Sequence, residues 1–134
     1  MYGTLDISAS GLVAQRTRMD AIAANLANAG EPFDPKSGEA PFQRRIVMLA
    51  AGDPISGKAD GVHVESIELD DSPPARKFEP RSPYADADGY VQYSNVNPVI
   101  EQMNAMEAGR SYEANISAIE ATKSMVSVAL RIIA

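Results

Sequence analysis

The chain has no cysteine among its 134 residues, so disulfide staples, thiolate chemistry and cysteine-ligated zinc are excluded. Tryptophan is absent and aromatics make up only 6% of residues, which leaves Ala, Leu, Ile, Val and Met to fill any core. A core of that kind favours close helix contact over a thick globular centre. His63 is the only histidine, so any Ser-His-Asp triad would need it as its base, and no G-x-S-x-G elbow is present. No apolar run approaches the ~18 residues of a membrane span, and no basic–apolar–small segment opens the chain. Neither direct membrane insertion nor a cleaved Sec-type signal is therefore expected. The net charge of −6 comes without a basic block, and nucleic acid is not an expected partner.

What is present is heptad order at both ends. Leu5, Leu12, Met19 and Leu26 recur every seven residues, with Ala9, Ile22 and Ala23 widening the stripe. Near the other end Tyr112, Ile116, Ile119, Val126, Leu130 and Ile133 follow a 4-3-7-4-3 spacing, and Lys123 takes the missing position. A strict seven-residue repeat coils helices left-handedly around partners. Val99, Met103 and Met106 lie on a different track, so a bend or stutter is expected at Gly109. The stripe continues to the final residues, where a monomeric domain would fray. Such ends predict assembly.

Charge follows the same division. Residues 1–29 are neutral and residues 98–134 sum to −1, which places −5 of the net charge between them. Composition agrees: residues 30–41 hold Pro32, Pro35 and Pro41, and Pro73-Pro74 interrupts the centre. The expected organisation is an N-terminal assembly helix over 1–29, a loop and small β-rich outer segment over 30–96, and a C-terminal assembly helix over 97–134. Strands are expected at Phe42–Ala50, from Val62 through Leu69 with a bulge at Ser66, at Ala75–Glu79 and at Tyr90–Tyr93, forming a small antiparallel element of three or four strands. Asn97-Pro98 supplies an N-cap and a first-turn proline for the second helix. The fold class is mainly α: long terminal helices in an antiparallel, coiled-coil-like hairpin with a small irregular β-rich middle.

Candidate chemistry is sparse. His63 alternates with Val62 and Val64 and reads as a solvated strand residue. Asp86-Ala87-Asp88-Gly89 starts like a calcium loop but lacks the later ligands, and a tight turn accounts for it. Asn115-Ile116-Ser117 matches a glycosylation sequon inside a predicted helix. Met103 and Met106 read as packing residues. No catalytic, cofactor or metal site emerges.

Three stretches carry a resemblance that covers nearly the whole chain: Leu5 to Ala29 with its Asn25/Asn28 pair, PFQRRIVML from Pro41 to Leu49, and Ala85 to Met125 beginning ADADGYVQYSNVNP. Together they resemble the flagellar axial family, in particular its basal-body rod proteins. Ala29-Gly30-Glu31-Pro32 departs from the Thr-containing turn common there. The resemblance implies a non-enzymatic proximal-rod subunit, exported unfolded by the flagellar type III apparatus and polymerised into a helical tube across the periplasm. It implies as neighbours other proximal rod proteins, the rod-base adaptor and the distal rod. On this reading the assembly interface comprises the two apolar stripes, Met103, Met106, Asn25 and Asn28. A generic coiled-coil scaffold is the alternative, and it leaves the block before the second helix unexplained.

Overall fold

A computed structural model describes residues 2–133; Met1 and Ala134 of the expected terminal segments lie outside the described residues. Helix α1 spans Tyr2–Asn28 and α2 spans Pro98–Ile133, with strands β1 (Arg45–Asp53), β2 (Lys58–Leu69), β3 (Ala75–Phe78) and β4 (Tyr90–Tyr93) between them. Two long helices thus enclose a small β-containing middle, in agreement with the expected class. The start of α2 is local chemistry: the Asn97 side-chain oxygen accepts the Val99 N–H at 3.0 Å, and Pro98 occupies the first position. α2 runs unbroken through Gly109, where a Cβ would meet nothing within 4 Å.

The middle is two separate ladders, not one sheet. β1 pairs antiparallel with β2, and β3 with β4. Pro73-Pro74 follows β2 closely and offers no N–H, which prevents that strand from continuing into β3. β1 starts at Arg45, later than the alternation suggested, because the Arg44 N–H is taken by the Asn95 side-chain oxygen at 2.7 Å. Its pairing shifts between Met48↔Ser66 and Leu49↔Val64, leaving Glu65 as the extra residue beside Ser66. That bulge carries the parity change seen in the sequence. The second ladder is tied back by Phe33, whose N–H donates to the Gln92 carbonyl at 2.8 Å.

α1 lies between α2 and the β1–β2 hairpin. On the hairpin side the Ser10 hydroxyl accepts the Val62 N–H at 3.1 Å. Gly61 permits this approach, since its φ is +89° and a Cβ there would come within 2.8 Å of Ser10 Oγ. On the other side the helices are antiparallel, with three level pairs. Asn25 donates to Glu101 at 3.0 Å, Arg18 pairs with Glu107 at 3.1 Å, and Gly11 sits where a Cβ would lie 2.8 Å from Asn115 Nδ2.

Those pairs show which heptad line closes the hairpin. Gly11, Arg18 and Asn25 each precede by one residue the stripe of Leu12, Met19 and Leu26. The contact line is therefore small and polar, completed by buried Ala14, Ala21 and Ala108. The leucine stripe flanks it, half-buried. Small residues let the helix axes approach closely, and larger ones would force them apart. Gly11→Leu should lower stability by about 1–3 kcal/mol, measured as a drop in the urea midpoint at unchanged slope. Stability equal to the parent would contradict this packing.

Candidate assembly surfaces

The position of the helices relative to the β middle is set by one buried polar cluster. Asn25 and Glu101 are almost completely inaccessible to solvent. The Asn25 side chain treats β1 as a neighbouring strand would: its oxygen accepts the Arg45 N–H at 2.8 Å, and its nitrogen donates to the Arg45 carbonyl at 2.9 Å. The same nitrogen reaches the Glu101 carboxylate. Glu101 also receives Arg44 Nε at 2.7 Å and Asn104 Nδ2 at 3.3 Å. Asn95 completes the set by accepting the Arg44 N–H and donating to the Asp70 carbonyl at 2.9 Å. α1, α2, β1, the end of β2 and the β4–α2 connection are thereby held by one hydrogen-bonded cluster. A buried carboxylate so paired tolerates little editing.

Two of the expected interface residues make hydrogen bonds within the chain. Asn25 is spent inside the chain and presents nothing to a neighbour. Asn28 is half-buried and donates to the Ala24 carbonyl at 2.7 Å, while its own carbonyl accepts the Ser94 hydroxyl at 2.8 Å. Ile22 is likewise buried within the chain. Leu5, Leu12, Met19 and Leu26 are half-buried along the flank of the helix pair, as are Tyr112, Ile119 and Val126 on α2.

The remaining sequence-selected residues face outward. Met103 is 65% exposed and Met106 60%, on the side of α2 away from α1. Ile116 is just exposed, and Leu130 and Ile133 are 62% and 83% exposed. The last two continue the line of Ile119 and Val126, so helical phase does not explain their exposure. Gly11 is level with Asn115, which puts Tyr2 level with a residue near the 124th position, so among the described residues no part of α1 lies opposite the last two turns of α2. Val99, of the same track as Met103 and Met106, is also exposed, and sequence periodicity missed further exposed apolar residues, namely Val13, Ile100, Met125, Val128 and Ile132. Helical phase counted from Asn25 and Glu101, rather than from the leucine stripe, would have found them. A monomer rarely exposes so many long apolar side chains on two neighbouring helices.

The other candidate chemistry has structural explanations. His63 is half-buried, with Nδ1 2.7 Å from the Gly52 carbonyl, which corrects the solvated reading. The Asp86 carboxylate accepts the Asp88 and Tyr90 N–H groups at 3.0 and 2.8 Å, and Gly89 has φ +83°, so this segment is a turn. Asn115 lies within α2 and donates to the Ser111 carbonyl at 3.0 Å. Among the described residues no group of three or more His, Cys, Asp or Glu side chains is arranged to hold a metal, and no helix is long and apolar enough to cross a membrane.

Paired terminal helices with exposed apolar faces, held against a clasped β middle, give the chain the architecture of an axial-type structural subunit. The comparisons with known proteins agree. Residues 5–29 match the family described as flagella basal body rod protein, and residues 87–132 match the flagellar basal body rod FlgEFG protein C-terminal family. The flagellar basal-body rod protein FlgC of Bacillus subtilis is 39% identical, covering 98% of this chain and 97% of its own length. The FlgC proteins of Aquifex aeolicus and Salmonella typhimurium are 40% and 39% identical, covering 92% and 94% of this chain and 90% and 92% of their own lengths. The chain belongs to the FlgC family of flagellar basal-body rod proteins, which is structural and not enzymatic.

Two measurements probe this architecture. Glu101→Ala removes the acceptor shared by Arg44 Nε and Asn25 Nδ2, leaves Arg44 only its looser 3.7 Å pairing with Asp70, and should destabilise the fold by about 3–5 kcal/mol in urea unfolding; a loss under about 1 kcal/mol would contradict the clasp. The Asp86 carboxyl is held below its ordinary value chiefly by the Tyr90 N–H, with the Arg76 side chain and the Asp88 N–H adding. A depressed folded value means that the turn's stabilisation is complete above 3.8 and is lost as pH falls through the lower folded value. Carboxyl NMR should find the Asp86 midpoint below 3.8, and a midpoint at or above it would contradict the turn geometry.

Proposed function

We propose that this chain is a subunit of the proximal rod, polymerising through its terminal helices into the helical drive-shaft tube that crosses the periplasm. The observation that carries this reading is the concentration of exposed long apolar side chains on α1 and α2, joined to a polar contact line that closes the hairpin without using them. Such faces are stabilised by burial against neighbouring subunits at about 25 cal/mol per Å² of apolar surface. The acidic middle, with its two short ladders, remains on the outside of the tube. The absence of cysteine suits passage between redox environments.

On this reading the chain is delivered without a cleaved signal by the flagellar type III apparatus. Its neighbours are further copies, the other proximal rod proteins, the rod-base adaptor and the distal rod. A generic scaffold role does not account for similarity to rod proteins along nearly the whole chain.

The test uses residues that the isolated chain does not bury. Val128→Asp combined with Ile132→Asp should leave folding and expression intact, because both positions are exposed. Each would put an unpaired charge into a packed subunit contact, at a cost of several kcal/mol. The expected result is loss of rod assembly and of swimming in a strain carrying the double variant. Normal swimming with normal basal bodies would overturn the reading.

A further inference from the structure

β1 keeps one edge unpaired, and that edge is the wall of a groove. In an antiparallel ladder, opposed residues alternate between pairs that exchange backbone hydrogen bonds and pairs that do not. The Asp70 N–H donates to the Arg44 carbonyl at 2.8 Å, and the register continues through Arg45↔Leu69, Ile46↔Glu68 and Val47↔Ile67. Ile46 and Met48 therefore turn their backbone groups toward β2, while Arg45, Val47 and Leu49 turn theirs away. The bulge lies in β2, so this alternation runs along β1 without interruption. Asn25 already shows what the outer edge accepts, since its amide bonds both backbone groups of Arg45 as a strand would. Among the described residues no strand pairs with Val47 or Leu49 on that side. Their edge opens on a groove of about 280 Å³, bounded by Arg18, Ala21 and Ile22 of α1 and by Glu101 and Asn104 of α2.

We infer that this groove takes an extended, acidic segment of another protein, added as an antiparallel strand to the outer edge of β1. Backbone hydrogen bonds to Val47 and Leu49 hold the segment, as in other strand additions to an open sheet edge. Ala21 and Ile22 receive its apolar side chains. Charge sets the rest of its chemistry. Arg18, Arg44 and Arg45 line the groove against one carboxylate, Glu101, in a chain whose net charge is −6. Arg18 is taken by Glu107, and Arg44 by Glu101 and Asp70. Arg45 is exposed and has no carboxylate partner among the described residues; its guanidinium lies 5.7 Å from the Phe42 ring centre. It stands at the Asn25 end of the groove, where an antiparallel segment brings its C-terminal residues. A folded second copy offers β1 and β2 only as a hairpin fastened to α1 through Asn25 and Ser10, so the occupant is a free segment. The contact uses none of the outward apolar helix faces and goes beyond the rod reading.

A peptide copying residues 62–71 (VHVESIELDD) is a suitable probe, because it alternates and ends in two aspartates. Titrated into the full-length chain, it should shift the Val47 and Leu49 amide resonances and slow their exchange, with half-saturation below about 1 mM. The same peptide with Asp70→Lys and Asp71→Lys should bind about tenfold more weakly, and so should the parent peptide to an Arg45→Glu chain. Arg45 is exposed, so that chain keeps its fold, checked by circular dichroism. Val47→Pro removes an N–H that the ladder with β2 does not use, so the hairpin is retained and binding is lost. Unchanged Val47 and Leu49 amides at that concentration, or equal affinity for the lysine peptide or the Arg45→Glu chain, would overturn the inference. Protection of the two amides that grows with the chain's own concentration, without peptide, would assign the edge to a second copy and overturn the occupant chosen here.

Discussion

A carboxylate buried between two helices constrains everything else in this fold. Glu101 sits out of water, where an unpaired charge costs several kcal/mol, so its partners must arrive together. Asn25 comes from α1, Arg44 from the approach to β1, and Asn104 from the next turn of α2. Satisfying one side chain thus sets the helix register, seats the β1–β2 hairpin and anchors the return to α2. A slip of one residue between the helices would break the Asn25–Glu101 hydrogen bond that joins them. Apolar contacts alone would tolerate such a slip far better. Specificity of register is the attested use of buried polar groups, and here it is combined with attachment of the outer segment.

That choice has a consequence for assembly. A contact line of Gly11, Ala14, Ala21 and Ala108 around Asn25 and Glu101 closes the hairpin with little long apolar surface. Leu, Ile, Val and Met side chains on both helices are left on flanks and outer faces, available to other subunits. The chain combines a specific internal fastening with an unspent hydrophobic exterior, a division that suits a subunit which must keep its shape before it joins a larger body. The β middle exposes apolar side chains as well, among them Ile55, Ile67, Leu69 and Phe78. Phe78 and Tyr90 pack edge to face at 5.3 Å, and Arg76 lies over the Tyr90 ring, which makes the second ladder a largely self-contained outer feature.

Much of the architecture is legible in the sequence because it is local. The Asn97-Pro98 cap, the Asp86–Gly89 turn, the Ser66 parity change and the proline breaks each depend on a few adjacent residues, and the structure realises them there. Helix phase is not local. Leu5, Leu12, Met19 and Leu26 form the most conspicuous repeat, yet the contact uses the line one residue earlier, because Asn25 must reach Glu101. Hydrophobic periodicity carries no information about a buried carboxylate found in another element. For the same reason periodicity gives no sign that Asn25 is buried and bonded to Glu101 and Arg45. The two β ladders were also beyond periodicity: four strand segments can pair in several ways, and Pro73-Pro74 only limits them.

The central claim is that α2 keeps apolar faces which are open in the free chain and covered in the rod. Methionine placement makes this directly measurable, since Met103, Met106 and Met125 lie on exposed parts of α2 while Met48 is exposed on the outer hairpin. Oxidative footprinting of dilute protein and of purified rods, read as sulfoxide at each methionine, compares the two states. The account predicts that Met103, Met106 and Met125 are reactive in free protein and protected in rods, with Met48 reactive in both. Equal reactivity of the three α2 methionines in free chain and rod would contradict it.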